Sequence, residues 1–139
     1  MAKIKNFIYC LNATSDDKMA NAMGILLTIN PDYMPGNFSF SIFFTIVDIK
    51  EDLHNLKIEF LDPDGEEVIP ALKGEIPYKK KEEDNELDSD YSGVNISANL
   101  QNVNLKKNGK YKTVITFDGA KLNEYEILVK GKKILKEDE

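Results

Sequence analysis

Apolar and polar residues alternate with a period of two along most of this chain. The period of 3.6 that marks a helix is rare. Phe7, Tyr9 and Leu11 alternate in the first run, and Met23, Ile25, Leu27 and Ile29 in the second, where Gly24 and Leu26 face the other way. The run NFSFSIFFTIVDI is the clearest. Phe38, Phe40, Ile42, Phe44 and Ile46 share one face, with Ser39, Ser41 and Thr45 on the other. Phe43 and Val47 break that polar face, so the second half predicts a central strand covered on both sides. In NLKIEFLDPDGEEVIP, Leu56, Ile58 and Phe60 point inward, and Pro63 and Gly65 suit a tight turn, which predicts a hairpin. Val94, Ile96, Ala98 and Leu100 oppose Asn95, Ser97 and Asn99. Tyr111, Thr113, Ile115 and Phe117 lead to an Asp118-Gly119 turn, after which Tyr125, Ile127 and Val129 face away from Glu124, Glu126 and Leu128.

These runs and the turn signals between them predict an all-β fold, a single antiparallel β-sandwich of about seven or eight strands. One helical turn is expected in TSDDKMANAM, with Thr14 or Ser15 as its N-cap. No internal repeat or shift of composition divides the chain, so residues 1–131 read as one domain. Within it, YKKKEEDNELDSDYSG, residues 78–93, has Leu87 as its lone aliphatic residue and reads as a mobile charged loop or a two-stranded flap. Residues 132–139 read as a charged, fraying tail.

Composition narrows the function classes. The chain has 139 residues, 42% of them hydrophobic, enough for a core without staples. Its net charge is -6 and all 18 of its cations are lysine. An acidic chain without arginine lacks the bidentate fork used on phosphate and guanine, so neither nucleic acid nor an anionic membrane is expected as a partner. No apolar run approaches the length of about eighteen residues that a membrane span needs, and the N-terminal run is too short for a signal peptide. Cys10 is the one cysteine, so no internal disulfide forms; in FIYCL it reads as a buried small hydrophobe. The expected location is the cytoplasm.

Candidate chemistry is sparse. Asp62, Asp64 and Glu66, with Glu67, surround the Pro63–Gly65 turn, and Asp-x-Asp-Gly matches half of a calcium loop. Strands flank it, and no distal glutamate falls in register, so the turn itself explains the residues. The acids Glu82, Glu83, Asp84, Glu86, Asp88 and Asp90, between Tyr78 and Tyr91, form the one interaction epitope legible in the pattern. His54, the only histidine, lies in a polar connector beside no nucleophile signature. There is no P-loop and no dinucleotide fingerprint. No catalytic residue and no cofactor is expected, and the chain is read as a non-enzyme.

Gly109-x-Tyr111 at the start of a late strand resembles the corner of immunoglobulin-like and fibronectin-like sandwiches, where a tyrosine hydroxyl ties the entering loop back to the strand. Three places carry a wider likeness: FIYCLNA followed by GILLTI, FSIFFTIVDI followed by FLDPDGEEV, and NGKYKTVITFDGAKL. On these the chain is similar to a family of small uncharacterised immunoglobulin-like β-sandwich proteins of bacteria and their prophages. That family has no established activity, so the likeness implies a fold. The Lys81–Asp90 insertion has no counterpart in it. The expected function is a non-enzymatic protein-interaction or assembly module, meeting a protein partner or a second copy through edge strands or the charged loop. The alternative is a sandwich that binds a cation or a carbohydrate with its acidic end loops.

Overall fold

The computed structural model of the chain describes residues 2–15, 19–80, 88 and 91–134. The strands are β1 (Lys3–Ser15), β2 (Ala20–Leu26), β3 (Thr28–Ile29), β4 (Tyr33–Met34), β5 (Gly36–Val47), β6 (Asp52–Leu61), β7 (Leu72–Tyr78), β8 (Gly93–Leu105), β9 (Gly109–Phe117), β10 (Ala120–Val129) and β11 (Lys133–Ile134). No α-helix occurs among the described residues. One sheet has the order β2-β1-β5-β8, a second β3-β10-β9-β6-β7, and β11 pairs with β4 in a third, two-stranded piece.

Most pairings are antiparallel, as the short turn signals require. Two are not: β3 runs parallel to β10, and β11 parallel to β4. The chain passes from β2 in the first sheet to β3 in the second across Leu27 alone, with no room to reverse direction. The expectation of a wholly antiparallel fold is corrected by that crossing. β11 lies within residues 132–139, the span read as a charged tail, of which residues 135–139 lie outside the described residues.

The core lies between the two large sheets. Phe40, Ile42, Phe44 and Ile46 of β5 meet Leu56, Ile58 and Phe60 of β6, Tyr111, Ile115 and Phe117 of β9, and Ile127 and Val129 of β10. The apolar phase of each of these strands is therefore its inward face. The phase changes where the strands bulge. Asn6 and Asn102 have φ of 59° and 51°, and pairing to β5 slips beside each of them. Asparagine tolerates this left-handed conformation better than most side chains. After Asn102 the inward residues become Val103 and Leu105, both buried. The β9–β10 hairpin closes through Asp118 and Gly119, with φ of 50° and 82°, the pair of positive values that the favoured two-residue turn requires.

In the segment where a helical turn was expected, Thr14 and Ser15 are strand residues paired with Asn21 and Ala20, while positions 16–18, where a turn capped by Thr14 or Ser15 would fall, lie outside the described residues. β1 follows β5 only as far as Cys10 opposite Ser41. Beyond it the hairpin folds over the outer face of the first sheet: Ala13 and Ala20 pack on Cys10 and Phe43, and Ser15 Oγ lies 3.4 Å from Ser97 Oγ of β8, across β5. This is what covers the second face of β5, including the buried Phe43 and Ser41.

Two hydroxyls tie the layers and loops. The Tyr111 hydroxyl donates to the Lys107 carbonyl at 2.7 Å, securing the loop before β9. The Tyr9 hydroxyl lies 2.6 Å from Thr113 Oγ1, joining the first sheet to the second inside the core. Burial pushes the Tyr9 phenol well above its ordinary value, so it stays neutral. Tyr9→Phe leaves the fully buried Thr113 hydroxyl without that partner. The expected loss is about 1–2 kcal/mol in urea unfolding, while Thr113→Val in the Tyr9→Phe background recovers part of it.

Candidate functional site

The β1–β2 hairpin holds the largest apolar exposure of the described chain. Its alternation is real, but the apolar phase points to solvent. Met23 and Ile25 are each 68% exposed and Leu27 is 90% exposed, with Leu11 at 53% and Met19 at 63% beside them. Ile25 pairs with Cys10 and Met23 with Asn12, so both stand on strand positions rather than on a loop. Between them Gly24 takes φ of 68°, and the Leu11 side chain lies against its Cα, where a Cβ would collide. β2 ends the order of the first sheet, so its outer backbone edge has no strand beside it among the described residues.

The edges differ in how they are guarded. β7, at the end of the second sheet, carries Lys73, Glu75 and Pro77, the usual devices against strand addition. β3 has only two residues. β8 is long but turns Asn99, Gln101 and Asn104 outward. β2 has neither charge nor proline, and the charge-free stretch runs from Met19 to Pro31. An apolar, uncharged edge is a template for pairing with another chain.

The acidic turn is engaged from within. Asp62 Oδ1 accepts the amides of Asp64 and Glu66, at 2.8 and 3.0 Å, and the Lys107 ammonium pairs with Asp64 and lies 3.9 Å from Asp62. The Glu66 amide, with Asp64 and Lys107, holds Asp62 below its ordinary value. Pro63 packs against Gly109 at the same end of the fold. These contacts fasten the turn to the loop before β9. Among the described residues, no three histidine, cysteine or acidic side chains come together in a way that would hold a metal ion.

Of the expected interaction loop, Glu82, Glu83, Asp84, Glu86 and Asp90 lie outside the described residues. The rest can be placed. The Tyr78 hydroxyl bonds the buried Ser92 hydroxyl, closing the base of the segment. The Asp88 carbonyl accepts the Tyr91 amide at 2.9 Å. Tyr91 is exposed, with the Lys5 ammonium 5.0 Å above its ring.

His54 is a buried staple between β6 and the β9–β10 turn. Its Nε2 faces the Lys50 carbonyl at 2.7 Å and its Nδ1 the Asp118 carboxylate at 2.6 Å, and the ring stacks on Phe117. Both neighbours only accept, so the doubly protonated ring satisfies both. Burial works against the charge, but Lys50 and Asp118 outweigh it, and the pKa lies above its ordinary value. A groove of about 470 Å³ on the second sheet is lined by Asn55, Lys57, Lys73, Glu75 and Thr116 with backbone at Gly74. Lys57 there faces Glu59 at 3.6 Å, and the lining includes no histidine or cysteine.

The Family of unknown function (DUF6941) matches residues 5–130. The chain belongs to that family. No curated protein matches the chain. Among solved structures, it is similar to a Pseudomonas fluorescens alkylpurine DNA glycosylase, AlkC, bound to DNA containing an abasic site analog. The identity is 8% and the TM-score 0.48, over 93% of this chain and 30% of that one. The chain thus spans under a third of that protein's length, and the likeness carries no argument about what a DUF6941 chain binds.

In this DUF6941 member the apolar edge is the feature that sequence reading passed over. Its signal was present: a charge-free run from Met19 to Pro31 in a chain that is 30% charged. Alternation alone does not say which phase looks inward, and the positive φ at Gly24 has no signature beyond the glycine itself.

Proposed function

We propose that the chain is a non-enzymatic protein-interaction module, and that the β1–β2 hairpin is its contact surface. The observation that carries this reading is the exposure of Met23 and Ile25 on one face of β2, with Leu27 following them and Leu11 on the other face over Gly24, at an edge without charge or proline. Water-exposed apolar strands of this kind are costly unless a partner covers them. The framework is read as an immunoglobulin-like sandwich. The Tyr111 tie to Lys107 and the parallel run of β3 beside β10 support that assignment. The charged segment between Tyr78 and Tyr91 is a second contact surface in this reading. The bacterial and prophage setting of the proteins the chain resembles would supply host or phage partners in the cytoplasm. No part is given to nucleic acid or membrane in this reading, because the chain is acidic and has no arginine.

The test compares wild type with Ile25→Lys, an exposed substitution that leaves the core untouched. Self-association of the purified protein and capture of chemically crosslinked partners are both measured. Association or capture that Ile25→Lys abolishes supports the module. Identical behaviour of the two proteins in both assays overturns the assignment of the hairpin. A rise of several degrees in Tm with millimolar calcium, abolished by Asp64→Asn, moves the reading to the alternative, a cation- or carbohydrate-binding sandwich.

A further inference from the structure

We infer that the occupant of the β2 edge is a second copy of this chain, paired antiparallel across a two-fold axis. This rests on the reading of the hairpin as a contact surface and names its partner. Three observations point to it.

The first is self-complementarity. A two-fold through Gly24 sets Met23 of one copy opposite Ile25 of the other, and Ile25 opposite Met23. The remaining strand positions are Ala20, Asn21, Ala22 and Leu26. Apolar side chains then meet apolar side chains, small residues flank them, and a residue without a side chain sits on the axis. An isologous contact of this kind closes at two subunits. The pairing would join the two first sheets into one, with the order β8-β5-β1-β2 continuing into its mirror sequence in the partner.

The second is charge. Each copy carries -6 overall, so two copies repel wherever acids face acids. The run from Met19 to Pro31 has none, and β2 is the face on which two copies meet at least cost. A partner selected by opposite charge finds nothing there to select it.

The third is area. At the usual transfer coefficient, a leucine, isoleucine or methionine side chain carries roughly 60–120 Å² of apolar surface. Leu11, Met19, Met23, Ile25 and Leu27, between 53% and 90% exposed, then offer roughly 200–400 Å² per copy. A standard interface of about 800 Å² per partner, somewhat over half of it apolar, needs roughly 450 Å². The patch falls a little short of that, at the small end where weak, reversible contacts lie.

The experiment is sedimentation velocity of the full chain from about 0.5 to 500 μM, a range that reads weak as well as moderate association. It is repeated with Met23→Lys, Ile25→Lys and, on the opposite edge, Gln101→Lys, an exposed position of β8. The expected result is a concentration-dependent shift from monomer to dimer in wild type and in Gln101→Lys. Either lysine on β2 should weaken it at least tenfold, with unchanged circular dichroism and Tm. Growth beyond the dimer, or a dimer broken by Gln101→Lys and not by Ile25→Lys, overturns the two-fold pairing. A wild type that stays monomeric to the highest concentration also overturns it. In that case, crosslinked capture that Ile25→Lys abolishes would still leave the hairpin as a contact for a different protein, so failure of the second-copy inference and failure of the module reading are distinguishable.

Discussion

Phe40→Ala is expected to destabilise the protein by about 3–5 kcal/mol, the range for removing a fully buried aromatic ring. Phe40 is buried in β5 of the first sheet, and its ring centre lies 5.4 Å from that of Phe60 in β6 of the second. Phe60 in turn stacks on Tyr111 of β9 at 5.6 Å, and Tyr9 stands 6.3 Å from Phe40 on the near side. The ring therefore spans the gap between the layers, and neighbours held by two rigid sheets collapse poorly into the cavity it would leave. Domains of this size have roughly 5–15 kcal/mol of stability in all, so the variant should melt far below wild type, on the order of ten degrees or more. The control is Leu27→Ala. Leu27 is the most exposed large apolar side chain among the described residues, and its loss should stay within about 0.5 kcal/mol in the monomer. A cost under about 1 kcal/mol for Phe40→Ala would contradict the placement of the core.

That contrast shows what the sequence makes legible. Where a strand is sandwiched, as β5 is, alternation identifies the inward residues directly, and Phe40, Ile42, Phe44 and Ile46 are all buried. The Tyr111 corner and the Asp118-Gly119 turn were readable for the same reason: each depends on residues a few positions apart. What was not readable depends on distant pairing. The hairpin that folds over Phe43 is set by Ser15 reaching Ser97, 82 positions away, and no local signal encodes it. The bulges at Asn6 and Asn102 reset the phase of β1 and β8 through one backbone angle each. The outward phase of β2 follows from its place at an edge, which only the assembled sheet defines. The acidic turn was legible as a turn, but its closure by Lys107 was not, because the lysine comes from the loop before β9.

His54→Gln should cost about 1.5–3 kcal/mol near pH 5.5, the value of hydrogen bonds to a charged group, and measurably less near pH 9. The sign follows from the two shifts. The folded pKa of His54 lies above its ordinary 6.5, because the Lys50 carbonyl and the Asp118 carboxylate outweigh the penalty of burial. Its contribution to stability is thus complete below about pH 6.5 and is lost as pH rises through the folded value. The Asn55 amide and then His54 hold Asp118 below its ordinary 3.8, so its contribution is present above about pH 3.8 and lost as pH falls through the folded value. The pair stabilises most between those limits. In neutral imidazole, the proton kept on Nε2 for Lys50 leaves the Nδ1 lone pair facing the Asp118 carboxylate, which converts the attraction into repulsion. Because the chain has one histidine, a proton NMR titration of its single imidazole reads the folded pKa without overlap, and the midpoint should fall above 6.5. Urea unfolding of wild type and His54→Gln at the two pH values measures the energetic side. Equal costs at both, or a midpoint at or below 6.5, would mean that the ring is held neutral and that the staple is packing on Phe117 rather than charge.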